Sequence, residues 1–287
     1  MATQFLPTLD DDARARVCRV RLDIDRSLGL MLGQEMVEWV DAGEYPVGNR
    51  QISLPATRGA GVSIPPEAHV PVVQSRPERM TRVEVANESS LTAARRLSSS
   101  GLSPLVLNMA NGVTPGGGFL HGSIAQEEYL CRSTALYATI RDDPMYGFHS
   151  GLDHYESSHW MIVSSDVAVI RDDEGAPIAE PWMCSFITCA APVAQRVGRE
   201  RSALIMADRI ERLLSVAAAH GYESLVLGAW GCGAFRNDPT LTAEAFRALL
   251  TGPFDGVFSD VVFAISDWSG ERRFLGPFAQ VFTPAAG

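Results

Sequence analysis

Two adjacent carboxylates, Glu127 and Glu128, follow three consecutive glycines, Gly116, Gly117 and Gly118, after a spacer of seven residues and Gln126. Glycines carry no Cβ, so their backbone N–H groups can approach a ligand closely, and clustered N–H groups favour anions. Carboxylates beside an anion cradle are useful only if they bind hydroxyls or move protons. The combination points to acid–base chemistry on a phosphorylated ligand.

Elements must hold these groups together. Leu105-Val106-Leu107-Asn108-Met109-Ala110-Asn111 precedes the glycines and reads as a buried strand. Tyr129 to Tyr137 repeats its apolar residues at helical spacing, so a helix is expected over 126–142. A strand therefore ends, a glycine loop follows, and the carboxylates open a helix. A second loop, Gly231-Cys232-Gly233-Ala234-Phe235-Arg236-Asn237, follows a strand expected over 224–230. Ligands of open α/β sheets bind beyond the carboxyl ends of strands. Two such loops could grip a diphosphate from both sides. Neither is a GxGxxG dinucleotide fingerprint or a P-loop.

Further strands are expected over 70–73, 82–86, 161–165, 166–171, 183–190 and 260–266. Helices are expected over 10 to about 45, 91–99, 199–220 and 241–250, and an irregular connection over 45–66. Strands alternating with helices indicate an α/β layered fold with a parallel or mixed sheet. The chain has 287 residues, 46% of them hydrophobic, enough for a substantial core. Its formal charge of −10 argues against general electrostatic binding to nucleic acid. The five cysteines, Cys18, Cys131, Cys184, Cys189 and Cys232, form no CxxC pair and read as reduced, buried thiols of a cytoplasmic protein. No apolar run is long enough to span a bilayer, and the first residues do not read as a signal peptide.

Three glycines, a short spacer and Gln-Glu-Glu, together with an Asn-containing strand end and the 228–237 loop, resemble the bacterial-type poly(ADP-ribose) glycohydrolase family. The resemblance covers nearly the whole chain. It implies a macrodomain-like three-layer α/β/α sandwich with a mixed central sheet (69–287) and an N-terminal helical extension and connector (1–68). It also implies hydrolysis of the ribose–ribose O-glycosidic bond of poly(ADP-ribose), with release of ADP-ribose and no cofactor. Carried over by motif, Glu128 would be the catalytic acid and Glu127 would hold ribose hydroxyls. Asn111 would orient the distal ribose, and Gly116, Gly117 and Gly118 would shape the loop around it. Gly231, Cys232, Gly233 and Ala234 would line the second diphosphate loop, Phe235 would pack on the terminal ADP-ribose, and Gln126 would bridge substrate and backbone. ADP-ribosylated proteins are the implied partners, with no direct nucleic-acid or membrane binding.

Glycosidases usually flank the scissile bond with two carboxylates roughly 5–9 Å apart. Adjacent residues at a helix start project about 100° apart, so Glu127 and Glu128 are not expected to flank one bond. One carboxylate should therefore serve as acid and then base. A helix N-terminus favours the ionised form, whereas a general acid must hold its proton. Burial and the substrate's diphosphate are expected to keep that proton on Glu128.

Other residues read more plainly. His149, His154 and His159 match no zinc spacing and read as loop or surface residues. Cys232 reads as a small residue beside a phosphate. Trp160, Trp182 and Trp268 read as core or partial core, and Asp267 either reads adenine or caps a turn. The alternatives carried are a hydrolase of another ADP-ribosyl linkage and a non-catalytic ADP-ribose reader. The paired glutamates speak against the reader.

Overall fold

Apolar side chains on the central strands alternate between two clusters, and that alternation decides the layering. Leu105 and Leu107 face one cluster while Val106 faces the other; Leu225 and Leu227 oppose Val226, and Val261 and Phe263 oppose Val262. A sheet apolar on both faces must be covered on both.

A computed structural model of the chain describes residues 3–56, 61–152 and 155–283. Its strands are β1 (Thr3–Phe5), β2 (Glu44–Val47), β3 (Arg50–Ser53), β4 (Val62–Ile64) and β5 (Thr81–Ala86). They continue with β6 (Pro104–Ala110), β7 (Met161–Arg171), β8 (Pro177–Ala190), β9 (Ser224–Leu227) and β10 (Asp260–Ala264). The helices are α1 (Asp12–Leu22), α2 (Arg26–Ala42), α3 (Ser90–Ser99), α4 (Gln126–Ser133) and α5 (Leu136–Ile140). After them come α6 (Pro144–Ser150), α7 (Ala194–Val197), α8 (Arg199–Ala219), α9 (Pro239–Leu250) and α10 (Leu275–Val281).

The main sheet runs β1-β5-β10-β9-β6-β8-β7-β4. Strands from β1 to β8 in that order are parallel, and β7 and β4 are antiparallel to their neighbours. Side chains of α8, α9 and α10, including Ile210, Phe246 and Phe278, cover one face. Those of α1 to α6, including Leu22, Met36, Leu91, Leu130, Leu136 and Met145, cover the other. The result is the expected three-layer α/β/α sandwich on a mixed sheet. The carboxyl ends of β5, β10, β9, β6 and β8 open along one edge.

Some local expectations need correction. The helical stretch from residue 10 is two helices, each restarted by an aspartate cap. Asp11 accepts from the Arg14 N–H at 2.7 Å and Asp25 from the Leu28 N–H at 2.9 Å. The connection over 45–66 contains the β2–β3 hairpin and β4, strands too short for alternation to register. Its residues 57–60 lie outside the described residues, as does His154. No strand forms over 70–73, where Val72 is 90% exposed. The helix expected over 126–142 breaks at Thr134, whose extended backbone makes an isolated bridge to Val169. Asp166, with φ +51°, sits in a bulge within one continuous β7 rather than between two strands. The segment before residue 69 supplies both edge strands of the main sheet, β1 and β4.

Candidate active site

The start of α4 is laced onto the end of β6. Gln126 Oε1 accepts from the Met109 N–H at 3.0 Å, and its Nε2 donates to the Leu107 carbonyl at 2.7 Å and to Ser90 Oγ at 3.2 Å. Glu127 Oε2 accepts from the Asn111 N–H at 2.6 Å. Gln126 thus lines the cleft but spends its amide on the protein. These bonds continue the strand ladder into side chains and fix where the two carboxylates stand.

The glycine loop closes around them. Glu128 Oε1 accepts from the Gly118 N–H at 2.9 Å. Asn111 Oδ1 accepts from the Val113 and Thr114 N–H groups at 2.9 and 3.0 Å, folding the loop back on itself. Gly117 has φ +60°, and a Cβ there would stand 2.4 Å from Glu128 Oε1 and 2.9 Å from Glu127 Oε2. Only glycine fits, because the carboxylates occupy the space of a side chain. Residues of α2 support the loop from outside: Arg26 Nε donates to the His121 carbonyl at 2.9 Å, and a Cβ at Gly33 would meet Phe119 O at 2.7 Å.

Glu127 and Glu128 are both buried. Burial pushes Glu127 well above the ordinary carboxylate range, and the adjacent Glu128 charge pushes the same way. The Asn111 N–H opposes the shift without cancelling it. Glu127 is therefore disposed to hold a proton, with the Glu128 carboxylate beside it. Glu128 Oε2 is buried and has no hydrogen-bond partner among the described residues.

The second loop is braced by Asn237, whose Nδ2 donates to the Pro192 and Gly231 carbonyls at 2.8 and 3.2 Å. Gly231 has φ +74°, and a Cβ there would collide with Asn237 and Ala191. Gly233 and Ala234 are exposed, with open space where a Gly233 side chain would be. Cys232 points inward instead: its thiol lies 3.8 Å from Thr242 Oγ1 and burial pushes it up to about 12. It neither lines the cleft nor offers a thiolate.

A cleft of about 410 Å³ crosses the carboxyl ends of the parallel strands. It brings together Asn111, Gln126, Glu127, Glu128, Gly231, Gly233, Ala234 and Phe235 as the motifs imply. Gly116, Gly117 and Gly118 stand behind the carboxylates rather than on the cleft wall. Sequence reasoning missed the far end, where Leu22, Ile265, Ser266 and Phe274 line the cleft with Trp268, which is 37% exposed rather than core. An aromatic pair past the last strand was the available signal. Asp267 is a cap: it accepts from the Ser269, Phe274 and Leu275 N–H groups at 2.9, 2.7 and 3.1 Å.

His149 is buried, not superficial; its ring bonds Gly112 O at 2.9 Å and Ser158 Oγ at 2.7 Å. Among the described residues no group of His, Cys, Asp and Glu could hold a metal ion, and no helix is long and apolar enough to cross a membrane. All five cysteines are free and buried.

The family model for the microbial-type PARG catalytic domain matches residues 33–172. Poly(ADP-ribose) glycohydrolase from Thermomonospora curvata is 36% identical, with 89% of this chain and 99% of that one covered at a TM-score of 0.83. The same enzyme bound to the inhibitor ADP-HPD is 37% identical over 88% and 99%, with a TM-score of 0.79. The Deinococcus radiodurans enzyme in complex with ADP-ribose is 37% identical over 72% and 86%, with a TM-score of 0.69. The comparison with curated proteins finds no match. Likeness of this extent, on a fold whose cleft is lined by the paired glutamates and the second loop that drew attention in the sequence, makes the chain a member of the poly(ADP-ribose) glycohydrolase family, hydrolases of glycosidic bonds.

Proposed function

We propose that this glycohydrolase binds the terminal ADP-ribose unit of poly(ADP-ribose) in the cleft and releases it with Glu128 acting first as acid and then as base. The observation that carries the reading is the second Glu128 oxygen, buried beside the cleft without a partner among the described residues. Leaving a buried polar atom unpaired costs about 1–3 kcal/mol. A module that only binds ADP-ribose gains nothing from two such carboxylates, which weighs against a reader.

In the proposed step, Glu128 protonates the glycosidic oxygen while the bond to the ribose anomeric carbon breaks. The leaving ribose departs as an alcohol, and positive charge develops on the retained ribose. Glu127, held by the Asn111 N–H, accepts hydrogen bonds from the retained ribose hydroxyls. A water then adds to the anomeric carbon as Glu128 takes its proton, restoring the enzyme. N–H groups of the second loop hold the diphosphate, whose charge also favours the developing cation. Ile265, Trp268 and Phe274, at the β10 end, give the adenine an apolar and aromatic wall.

With a formal charge of −10, the protein suits a chain end better than an extended polyanion track. Release is therefore mainly exo-type, on free polymer and on ADP-ribosylated proteins alike. A digestion time course of size-fractionated poly(ADP-ribose) tests this. ADP-ribose should be the dominant early product, and substantial early release of long oligomers would overturn it.

A further inference from the structure

The catalytic end of the cleft lies between β6 and β8, marked by Asn111 and Ala191. Three segments converge just beyond it. A Cβ on Gly112 would stand 2.5 Å from Ser157 Oγ and 3.2 Å from Ala190 Cβ. The Val193 N–H donates to the Tyr155 carbonyl at 2.9 Å, and the Ala194 N–H to the Phe235 carbonyl at 2.9 Å. Residues 155–158, 192–196 and the second loop thus form one rim. On it Tyr155 is 55% exposed, and the Arg196 guanidinium lies over its ring at 5.0 Å.

Charge on this rim is not balanced. Glu156 is engaged by Arg201 at 3.0 Å and Asp238 by Arg199. Arg196 and Arg236 have no ion pair among the described residues. Arg236 directly follows Phe235 and holds φ +58°, a left-handed conformation that costs a side-chain-bearing residue energy and is a pointer to function. Gln195, Arg199 and Arg236 border a hollow of about 320 Å³ behind the second loop.

We infer that this rim is the subsite for the leaving ADP-ribose unit: its adenine stacks on the Tyr155–Arg196 pair and its diphosphate meets Arg236. The inference rests on the reading that the cleft holds the terminal unit with its anomeric carbon at Glu128. The scissile bond joins that ribose to the adenosine ribose of the next unit, so an adenine must emerge at this end of the cleft. An exposed aromatic ring under a guanidinium is a platform for any base, and the two unpaired arginines supply local positive charge on an acidic protein. The subsite engages one further unit, which keeps binding focused on a chain end.

The test is binding in the full-length Glu128→Gln variant, titrated with an ADP-ribose dimer and with ADP-ribose monomer. The dimer should bind more tightly, and adding Tyr155→Ala should cut that advantage about fivefold to a hundredfold while monomer affinity holds. Tyr155→Phe should retain the advantage, because the ring face is kept. Arg196→Gln and Arg236→Gln should each flatten the salt dependence of dimer binding. Equal affinity for dimer and monomer in the parent, or an advantage that survives Tyr155→Ala, would overturn the subsite; so would dimer and monomer affinities falling together. Wild-type protein that leaves the dimer uncleaved would instead count against the proposed activity, and the binding comparison would still decide the subsite.

Discussion

Replacing Gly117 by alanine should disable the enzyme without unfolding it. The new Cβ would stand 2.4 Å from Glu128 Oε1, where ordinary contact begins near 3.4 Å, so the carboxylate must retreat by 3.4 − 2.4, about 1 Å. That retreat strains or breaks its 2.9 Å bond from the Gly118 N–H and crowds Glu127, 2.9 Å away. A misplacement of about 1 Å at a reacting group can cost on the order of a hundredfold in rate. The φ of +60° adds about 1–2 kcal/mol of backbone strain for a residue with a Cβ. At about 2–4 °C per kcal/mol, melting should fall by several degrees and remain cooperative. Assayed by ADP-ribose release from poly(ADP-ribose), the variant should lose about two orders of magnitude in kcat. Turnover within threefold of wild type would mean that the carboxylate positions are not set by the glycine loop, and the site geometry argued above would be wrong.

Other perturbations follow from the same geometry. Because burial raises Glu127 in the folded chain, its stability contribution is complete below the ordinary carboxylate range and is lost as pH rises through the raised value. Glu127→Gln should therefore melt above wild type at pH 8, with the gap closing by pH 4; a gap that opens at low pH would reverse the sign and refute the assignment. The loss in wild type can proceed at no more than about 1.4 kcal/mol per pH unit for one proton. Gly233 has open space around its missing Cβ, so Gly233→Ala should melt within about 1 °C of wild type while its methyl intrudes on the diphosphate path. Calorimetry should show ADP-ribose affinity weakened at least about tenfold, roughly 1.4 kcal/mol; unchanged affinity would remove the second loop from the binding site.

What the sequence made legible was whatever depends on local spacing. Glycines 116–118, seven spacer residues and Gln126-Glu127-Glu128 specify a loop and a helix start, and both are present. Buried parallel strands such as β6 and β10 show as short apolar runs. Features decided by distant pairing stayed hidden. Thr134 sits inside a helical pattern, yet its bridge to Val169 wins over local propensity. β1 and β4, three residues each, exist because neighbouring strands offer unpaired edges. Cys232 stands between two loop glycines and still turns inward, because Thr242 Oγ1 and Trp230 O receive its thiol. Trp268 and Phe274 reach the cleft because Asp267 holds the turn between them, accepting from the Ser269 and Phe274 N–H groups, a contact no spacing announces.

Release of ADP-ribose from purified poly(ADP-ribose) by wild type and by Glu128→Gln, with ADP-ribose binding to both measured by calorimetry, tests the central claim most directly. Turnover should fall by several orders of magnitude in the variant while affinity for ADP-ribose stays within a few-fold, because the amide keeps the Gly118 contact but has no proton to give and then take back. A variant that still turns over within tenfold of wild type would contradict the assignment of Glu128 as the acid and base.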